Sequence, residues 1–537
     1  MSSNIRALCA RQGVENSLLT ALEAAAGAAG TPSDATLREL ARDYRLSPAA
    51  VLGTASFYDF LAAQHRGRRG YFCTGTACLL AGRQDVARER LRASLADHEI
   101  GEMACLGRCH RGGAFQIDGG QFDAVDLDGE VPHSDAIPFH PAAGESVFAP
   151  LSANPLDDYR AALHAPAAIL AELSAARLRG RGGAGFPFGR KVAACAEARG
   201  DPKYVVCNGD EGDPGAFSDR WLLEQHPHRV LAGMLAGGIA VGAAIGVVYV
   251  RAEYPLAVAR VREAIDAFHA TPIARHTGFR FHLVRGAGSY VCGEETALLN
   301  SIEGLRPEVR VRPPYPAQHG LFGKPTLVSN VETFACVPWI LRRGGAAFAA
   351  LGTAESTGTK LVCLDHHFHR AGVHEVPMGL PLDTLLHGLG GGLRAPVKAL
   401  QIGGPLGGVV PFDRTAELAL DFESFARAGF LLGHASVVAI PAAFPMRAFL
   451  AHLFEFASHE SCGKCFPCRL GTRRGFEQLR DASSEHPIDA AAFGDLLETL
   501  ELGSLCTLGG GLPLPVRNVL AHFADELQPL FHGEVPA

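Results

Sequence analysis

Apolar positions near the start of the chain recur at helical spacing: Leu18, Leu19 and Leu22, then Leu37, Leu40 and Tyr44, with Pro32 and Pro48 marking turns. Ser47 before Pro48 has the form of a helix start, a hydroxyl cap followed by proline at the first helical position. A short αβ module follows. From about 155 to 345, strand-like runs such as Lys203–Cys207 and Ala244–Val250 alternate with helical stretches, the sign of a mostly parallel sheet. Residues 357–440 are Gly-rich with short strand runs, and the last hundred residues are mostly helical. Val230–Val250, 21 residues without a charge, imitates a membrane span. Its five Gly and its β-branched end predict a buried small-residue helix of about four turns and then a central strand, neither half reaching the roughly twenty helical residues a bilayer needs. The expected division is 1–65 helical, 66–130 αβ, 131–155 a polar linker, 156–350 α/β, 357–440 β-rich and 441–537 helical.

With 537 residues, 47% of them hydrophobic and 20% charged, the chain has the profile of a soluble multidomain protein. A net charge of −7 argues against a nucleic-acid partner, which calls for clustered Lys and Arg. Met1–Gly30 shows no apolar signal core, so the expected location is the cytoplasm, where thiols stay reduced. The 14 Cys then become candidate metal ligands.

Cys462, Cys465 and Cys468 form C-x2-C-x2-C, with Cys506 downstream. Three thiolates on one loop with a remote fourth suit a [4Fe–4S] centre, whereas zinc usually pairs its ligands two and two. Cys73 and Cys78, with Cys105 and Cys109, make two wider pairs that suit a [2Fe–2S] centre or zinc. Cys9, Cys195, Cys207, Cys292, Cys336 and Cys363 stand singly in apolar surroundings and read as buried hydrophobes.

Gly180–Lys191 is a glycine-rich loop whose amides could approach an anion, with Lys191 as counter-charge. Pro187 and Phe188 interrupt any G-x-G-x-x-G pattern. The acidic loop Cys207–Pro214 at a strand end and the Gly-Glu-Glu turn after Tyr290 add carboxylates able to bind ribose hydroxyls or ring N–H groups.

Together Gly180–Pro187, Asn208-x-Asp210-Glu211, Asp219-Arg220, Tyr290-x-x-Gly293-Glu294-Glu295-Thr296, Ser329–Thr333 and the C-terminal Cys set resemble the FMN- and NADH-binding flavoprotein subunit of respiratory complex I. The first 130 residues, with Thr54-x-x-Phe57-Tyr58 and four Cys, are similar to that complex's thioredoxin-like [2Fe–2S] subunit. Such a fusion resembles the diaphorase subunits of NAD-dependent molybdenum or tungsten formate dehydrogenases and of NAD-reducing [NiFe] hydrogenases.

The resemblance implies a multidomain α/β fold: N-terminal helices, a thioredoxin-like [2Fe–2S] domain, a Rossmann-like FMN/NADH domain, a β-grasp (SLBB-like) domain and a helical [4Fe–4S] domain. It implies FMN held by Gly180, Arg181, Gly182, Lys191, Asn208, Asp210, Glu211, Gly293, Glu294, Asn330 and Thr333, with Gly183, Ala184, Gly185 and Val328 also among the cofactor-binding residues. NAD(H) would lie near Phe186, Asp213 and Glu295, its adenine flanked by Arg312 and Tyr315. Glu211 and Asp213 would tune the site where hydride passes between nicotinamide and flavin. Lys191 is followed by Val192 and Ala194 where the family has aromatics, Asp213, Ala216 and Ser218 stand where Glu, Thr and Lys are usual, and Ser329 replaces a frequent Asn.

A flavin converts between the two electrons of a hydride and the single electrons of clusters. The expected function is therefore that of a diaphorase component exchanging electrons with the iron–sulfur/molybdenum or tungsten subunit of an NAD-dependent formate dehydrogenase. Alternatives are the flavin subunit of a hydrogenase or of a complex I-type dehydrogenase, and, in a different class, a flavin-less electron adapter.

Overall fold

The computed structural model describes residues 13–27, 30–124, 136–149 and 154–536. Cys9 lies outside them. Helices Leu18–Ala26, Asp34–Asp43 and Pro48–Ala55 follow the expected periodicity, each capped by a serine hydroxyl (Ser17, Ser33, Ser47) that accepts from an amide three residues on. Strands β1 (Gly70–Cys73), β2 (Ile100–Met103), β3 (Ala114–Ile117) and β4 (Gly120–Asp123) form a sheet in the order β2-β1-β3-β4. Cys73 ends β1, Cys78 lies in the helix Thr76–Leu80 that follows, and Cys105 and Cys109 sit in the loop between β2 and β3.

The stretch expected as a polar linker departs from that expectation in its described part. Phe139–His140 forms strand β5 at the edge of a six-stranded sheet, and Val147 and Phe148 are completely buried. A two-residue strand and an apolar pair are too short to produce a periodic signal.

Strands β6 (Tyr204–Gly209), β7 (Ile245–Val250), β8 (Arg280–Arg285) and β9 (Thr326–Asn330) are parallel, in the order β8-β7-β6-β9. β6 is flanked by the strand that follows it on one side and by the last strand on the other. Connections therefore leave it in opposite directions, and a crevice opens beyond the carboxyl ends of β6 and β9. The uncharged run divides as expected into the helix Pro227–Val241 and the strand β7. No helix among the described residues is long and apolar enough to cross a membrane. The run's glycines serve packing: a Cβ on Gly233 would lie 1.9 Å from the Phe334 carbonyl oxygen of helix Val331–Arg343.

This sheet is covered on both faces, which explains its continuous apolar strands. Helix Pro227–Val241 packs on one face, and the N-terminal helices, through Leu18, Leu19 and Leu22, share a core with Val206, Val247 and Leu298 on the other. Tyr58 Oη lies 2.7 Å from Ser301 Oγ, and Arg306 stacks on Phe57. At the C-terminal side Asp59 Oδ1 lies 3.5 Å from His459 Nε2. That contact raises the imidazole from 6.5 to about 9, so its stabilisation is complete below pH 6.5 and is lost as pH climbs through about 9. His459→Gln is accordingly expected to flatten the stability–pH curve between those values in thermal melts; an unaltered curve would refute the contact.

Strands β10 (Thr359–Leu364), β11 (Gly372–Pro377), β12 (Val397–Ile402), β13 (Gly408–Pro411) and β14 (Ser436–Pro441) join β5 in a mixed sheet, β13-β12-β14-β10-β11-β5. The C-terminal part is a helical bundle of Met446–His459, Phe466–Asp481, Ala490–Gly503 and Pro513–His522.

Candidate functional site

An open cleft of about 190 Å³ lies at the crevice between β6 and β9. Of the expected residues, Arg181, Gly182, Asn208, Asp210, Glu211, Asp213, Gly293, Glu294 and Asn330 line it. So do Ser218, Asp219, Tyr290, Leu406, His434 and Cys506–Leu508. The cleft is thus walled by the α/β domain, the mixed sheet's loops and the C-terminal cysteine loop together.

Three helix N-termini face it. Glu211 accepts from the amides of Asp219 and Arg220, both at 2.9 Å, at the start of helix Ser218–Gln225. Glu294 accepts from Thr296 and Ala297 at the start of Glu295–Ile302, and Asn330 from Glu332 and Thr333 at the start of Val331–Arg343. Converging helix dipoles favour negative charge, whether from caps or from a phosphate. The Glu211 carboxylate, raised by burial, is committed to this capping, which suits positioning and not proton transfer. Asp213 is held from two sides: its Oδ1 accepts from Tyr290 Oη at 2.6 Å, and its Oδ2 lies 2.9 Å from His434 Nε2.

Two buried groups of the cleft are left without protein partners. Arg181 donates Nη2 to the Thr357 carbonyl at 2.6 Å, while its Nε and Nη1 have no partner. Asp210 Oδ2 is likewise unpartnered, and burial holds that carboxyl well above the usual carboxylate range. Orphaned donors and an orphaned acceptor on two residues that line one cleft suit a ligand with both phosphate-like oxygens and N–H or hydroxyl donors. Gly182 and Gly293 keep the walls thin: a Cβ there would lie 3.0 Å from Asn330 Cβ and 3.1 Å from the Asp210 oxygen.

The other expected residues surround the cleft without lining it. Gly180 N donates to Phe186 O at 2.8 Å and closes the glycine loop, while Thr333 Oγ1 accepts from Arg181 N at 2.9 Å. Gly183 and Gly185 adopt positive φ, 115° and 60°, and Ala184 is exposed. Lys191, expected as a phosphate counter-charge, instead lies 3.3 Å from Glu295 Oε2 and donates to the Val328 carbonyl at 3.1 Å. Arg312 Nη1 lies 3.0 Å from Glu295 Oε1 and 3.7 Å from Glu294, tying that cluster to the cleft rim. Phe186 and Tyr315 are 48% and 55% exposed, aromatic faces open to a ligand. Val192, at a position where an aromatic is usual, is buried in the core.

Both thiol quartets are assembled. Cys73, Cys78, Cys105 and Cys109 are all buried, with Cys105 Sγ 3.9 Å from Cys109 Sγ. Amides approach the sulfurs: Gly107 N donates to Cys105 at 3.4 Å and Gly215 N, from the acidic loop, to Cys109 at 3.2 Å. Cys462 and Cys468 are buried, Cys465 and Cys506 partly exposed, and Cys506 reaches the cleft. Among the described residues, the sets of three or more ligand atoms within 4.8 Å of one another are Asp365/His366/His367 and Asp59/His459/Glu460, and neither quartet is among them. The lone Cys195, Cys207, Cys292, Cys336 and Cys363 are buried, as expected.

Comparison with known proteins agrees with this geometry. Residues 173–339 match the Nuo51 FMN-binding domain, 448–529 the NADH-ubiquinone oxidoreductase-F iron–sulfur binding region, and 6–129 the thioredoxin-like [2Fe–2S] ferredoxin. The chain is 40% identical over 373 residues to the F 2 subunit of NADH-quinone oxidoreductase in Rhizobium meliloti (strain 1021), covering 68% of this chain and 88% of that protein. It is 41% identical over 373 residues to the NADP-reducing hydrogenase subunit HndC of Solidesulfovibrio fructosivorans, covering 68% and 76%. A chain in the crystal structure of an air-oxidized NAD+-reducing [NiFe]-hydrogenase superposes with a TM-score of 0.85 at 30% identity, over 97% of this chain and 94% of that one.

Proposed function

Because the chain belongs to the NADH-quinone oxidoreductase-F family, FMN-binding flavoproteins with iron–sulfur centres, we propose that it is a diaphorase subunit linking NAD(H) to a partner that takes or gives single electrons. The observation that carries this reading is Cys506: a thiol of the C-terminal quartet forms part of the wall of the cleft built by Arg181, Asp210 and Asn330. FMN bound there supplies the conversion between the two-electron hydride of a pyridine nucleotide and the single electrons of clusters.

The chain's own residues do the holding. The unpartnered nitrogens of Arg181 and the unpartnered oxygen of Asp210 would meet the polar groups of FMN, beside Asn208, Gly182, Gly293 and the Asn330–Asp219 pair. Tyr290 and His434 orient Asp213 at the cleft, facing NAD(H). At the rim Glu295, set between Lys191 and Arg312, would accept from ribose hydroxyls, which favours NAD over a 2′-phosphorylated nucleotide. Phe186 and Tyr315 offer flat apolar faces to nicotinamide and adenine. Cys462, Cys465, Cys468 and Cys506 would hold the [4Fe–4S] centre, and Cys73, Cys78, Cys105 and Cys109 the [2Fe–2S] centre.

The terminal partner in this reading is the molybdenum or tungsten subunit of an NAD-dependent formate dehydrogenase, in the cytoplasm. The near full-length likeness to an NAD+-reducing [NiFe]-hydrogenase chain favours a second reading, with a hydrogenase partner. Isolating the tagged chain with its native partners and assaying NAD+ reduction by formate and by hydrogen separates them. Formate-driven activity with bound molybdenum or tungsten is expected. Hydrogen-driven activity with nickel would sink the first reading and establish the second.

A further inference from the structure

Arg220 and Arg251 belong to the α/β domain, yet both direct their guanidinium groups at the loop carrying Cys105 and Cys109. Arg220 Nη1 donates to the carbonyls of Leu106 (3.2 Å) and Gly107 (3.1 Å). Arg251 Nη2 donates to the Cys105 carbonyl at 3.1 Å, and its Nη1 to the carbonyl of the cleft residue Glu211 at 2.6 Å. Three consecutive carbonyls, 105 to 107, are thus drawn toward arginines, while the Gly107 amide faces the Cys105 sulfur. The arginine side chains are only 3% and 5% exposed, each paired with a carboxylate, Glu224 at 2.8 Å and Glu253 at 2.6 Å. Tyr254 is packed against both guanidinium groups.

A cluster held by four thiolates becomes more negative when it accepts an electron. Positive charge and N–H donors next to its ligands favour that reduced form, and they act more strongly where water is excluded. Pairing with Glu224 and Glu253 allows such charges to be buried at all. Resting on the reading that Cys73, Cys78, Cys105 and Cys109 bind a [2Fe–2S] centre, we propose that Arg251 and Arg220 are positioning residues that raise its reduction potential by fixing the 105–107 carbonyls and, with them, the Gly107 amide that donates to the Cys105 sulfur. Arg251 acts twice, since the same side chain anchors the Glu211 backbone at the cleft. It couples the geometry of the cluster loop to that of the flavin site.

The test is an EPR-monitored redox titration of the full chain. Arg251→Gln is expected to lower the midpoint of the [2Fe–2S] signal and leave the [4Fe–4S] midpoint in place. Arg251→Lys, which keeps the charge and loses the fork, should produce a smaller drop. Arg220→Gln should move the signal the same way as Arg251→Gln. An unmoved [2Fe–2S] midpoint in the variants that retain the cluster would overturn the proposal. Loss of the signal from all three would overturn it too, assigning the arginines to folding alone. Absence of any [2Fe–2S] signal from the unmodified chain would instead refute the cluster reading, so the two failures are distinguishable.

Discussion

Cys506→Ala is expected to lower NADH-driven electron delivery to a one-electron partner by about 100-fold or more, the upper end of what even outer-shell losses cost a metal site. Hydride exchange with NAD(H), followed as transhydrogenation to a nicotinamide analogue, should survive within a few fold. The split follows from position. Cys506 precedes the short helix Thr507–Gly510, far along the chain from Cys462, Cys465 and Cys468, and would close their tripod from the cleft side. Its thiol is pushed up to about 12 by burial, so ligation there would displace a tightly held proton. An undiminished [4Fe–4S] EPR signal in the variant would show that another group is the fourth ligand.

Lys360→Met should lower stability by about 3–5 kcal/mol and release flavin, because it removes one partner of a buried ion pair. Lys360 and Glu332 are each 1% exposed and bonded through Nζ and Oε2. Glu332 also accepts from Leu361 N at 3.0 Å, and its own amide donates to Asp219 Oδ1. Asp219 is already held well above the carboxylate range by burial and by Glu211 and Glu332, with Lys360 as the opposing charge. Without that ammonium, three buried carboxylates face one another directly behind the cleft. Thermal melts and flavin retention measure the loss, and Lys360→Met with Glu332→Gln should recover part of it. A melting temperature equal to that of the unmodified chain would contradict this role for the pair.

Much of the site was legible because its signals are local. The Cys462–Cys468 tripod, the Gly180–Gly185 loop and the acidic loop at the end of β6 each lie within about a dozen residues, and spacing carries their chemistry. The parallel pairing of β6 to β9 follows from alternation of strand and helix. What escaped depends on docking between distant segments. His434 and Leu406 reach the cleft from another sheet, and nothing in their neighbourhoods announces it. Arg251 reads along the chain as the hydrophilic flank of an apolar run, yet folding buries it between the cleft residue Glu211 and Cys105. Lys191 reads as a phosphate counter-charge; that Glu295, more than a hundred positions away, lies beside it is not readable from spacing. The Cys109–Gly215 contact is of the same kind, one amide of the acidic loop reaching a thiol of the first module.

One measurement bears most directly on the diaphorase reading: flavin, iron and acid-labile sulfide in the anaerobically purified chain, with EPR spectra before and after NADH. About one FMN, six iron and six sulfide per chain are predicted, with cluster signals appearing on NADH addition. Clusters present but silent to NADH, with no flavin bound, would contradict it and leave the chain an electron conduit without hydride chemistry.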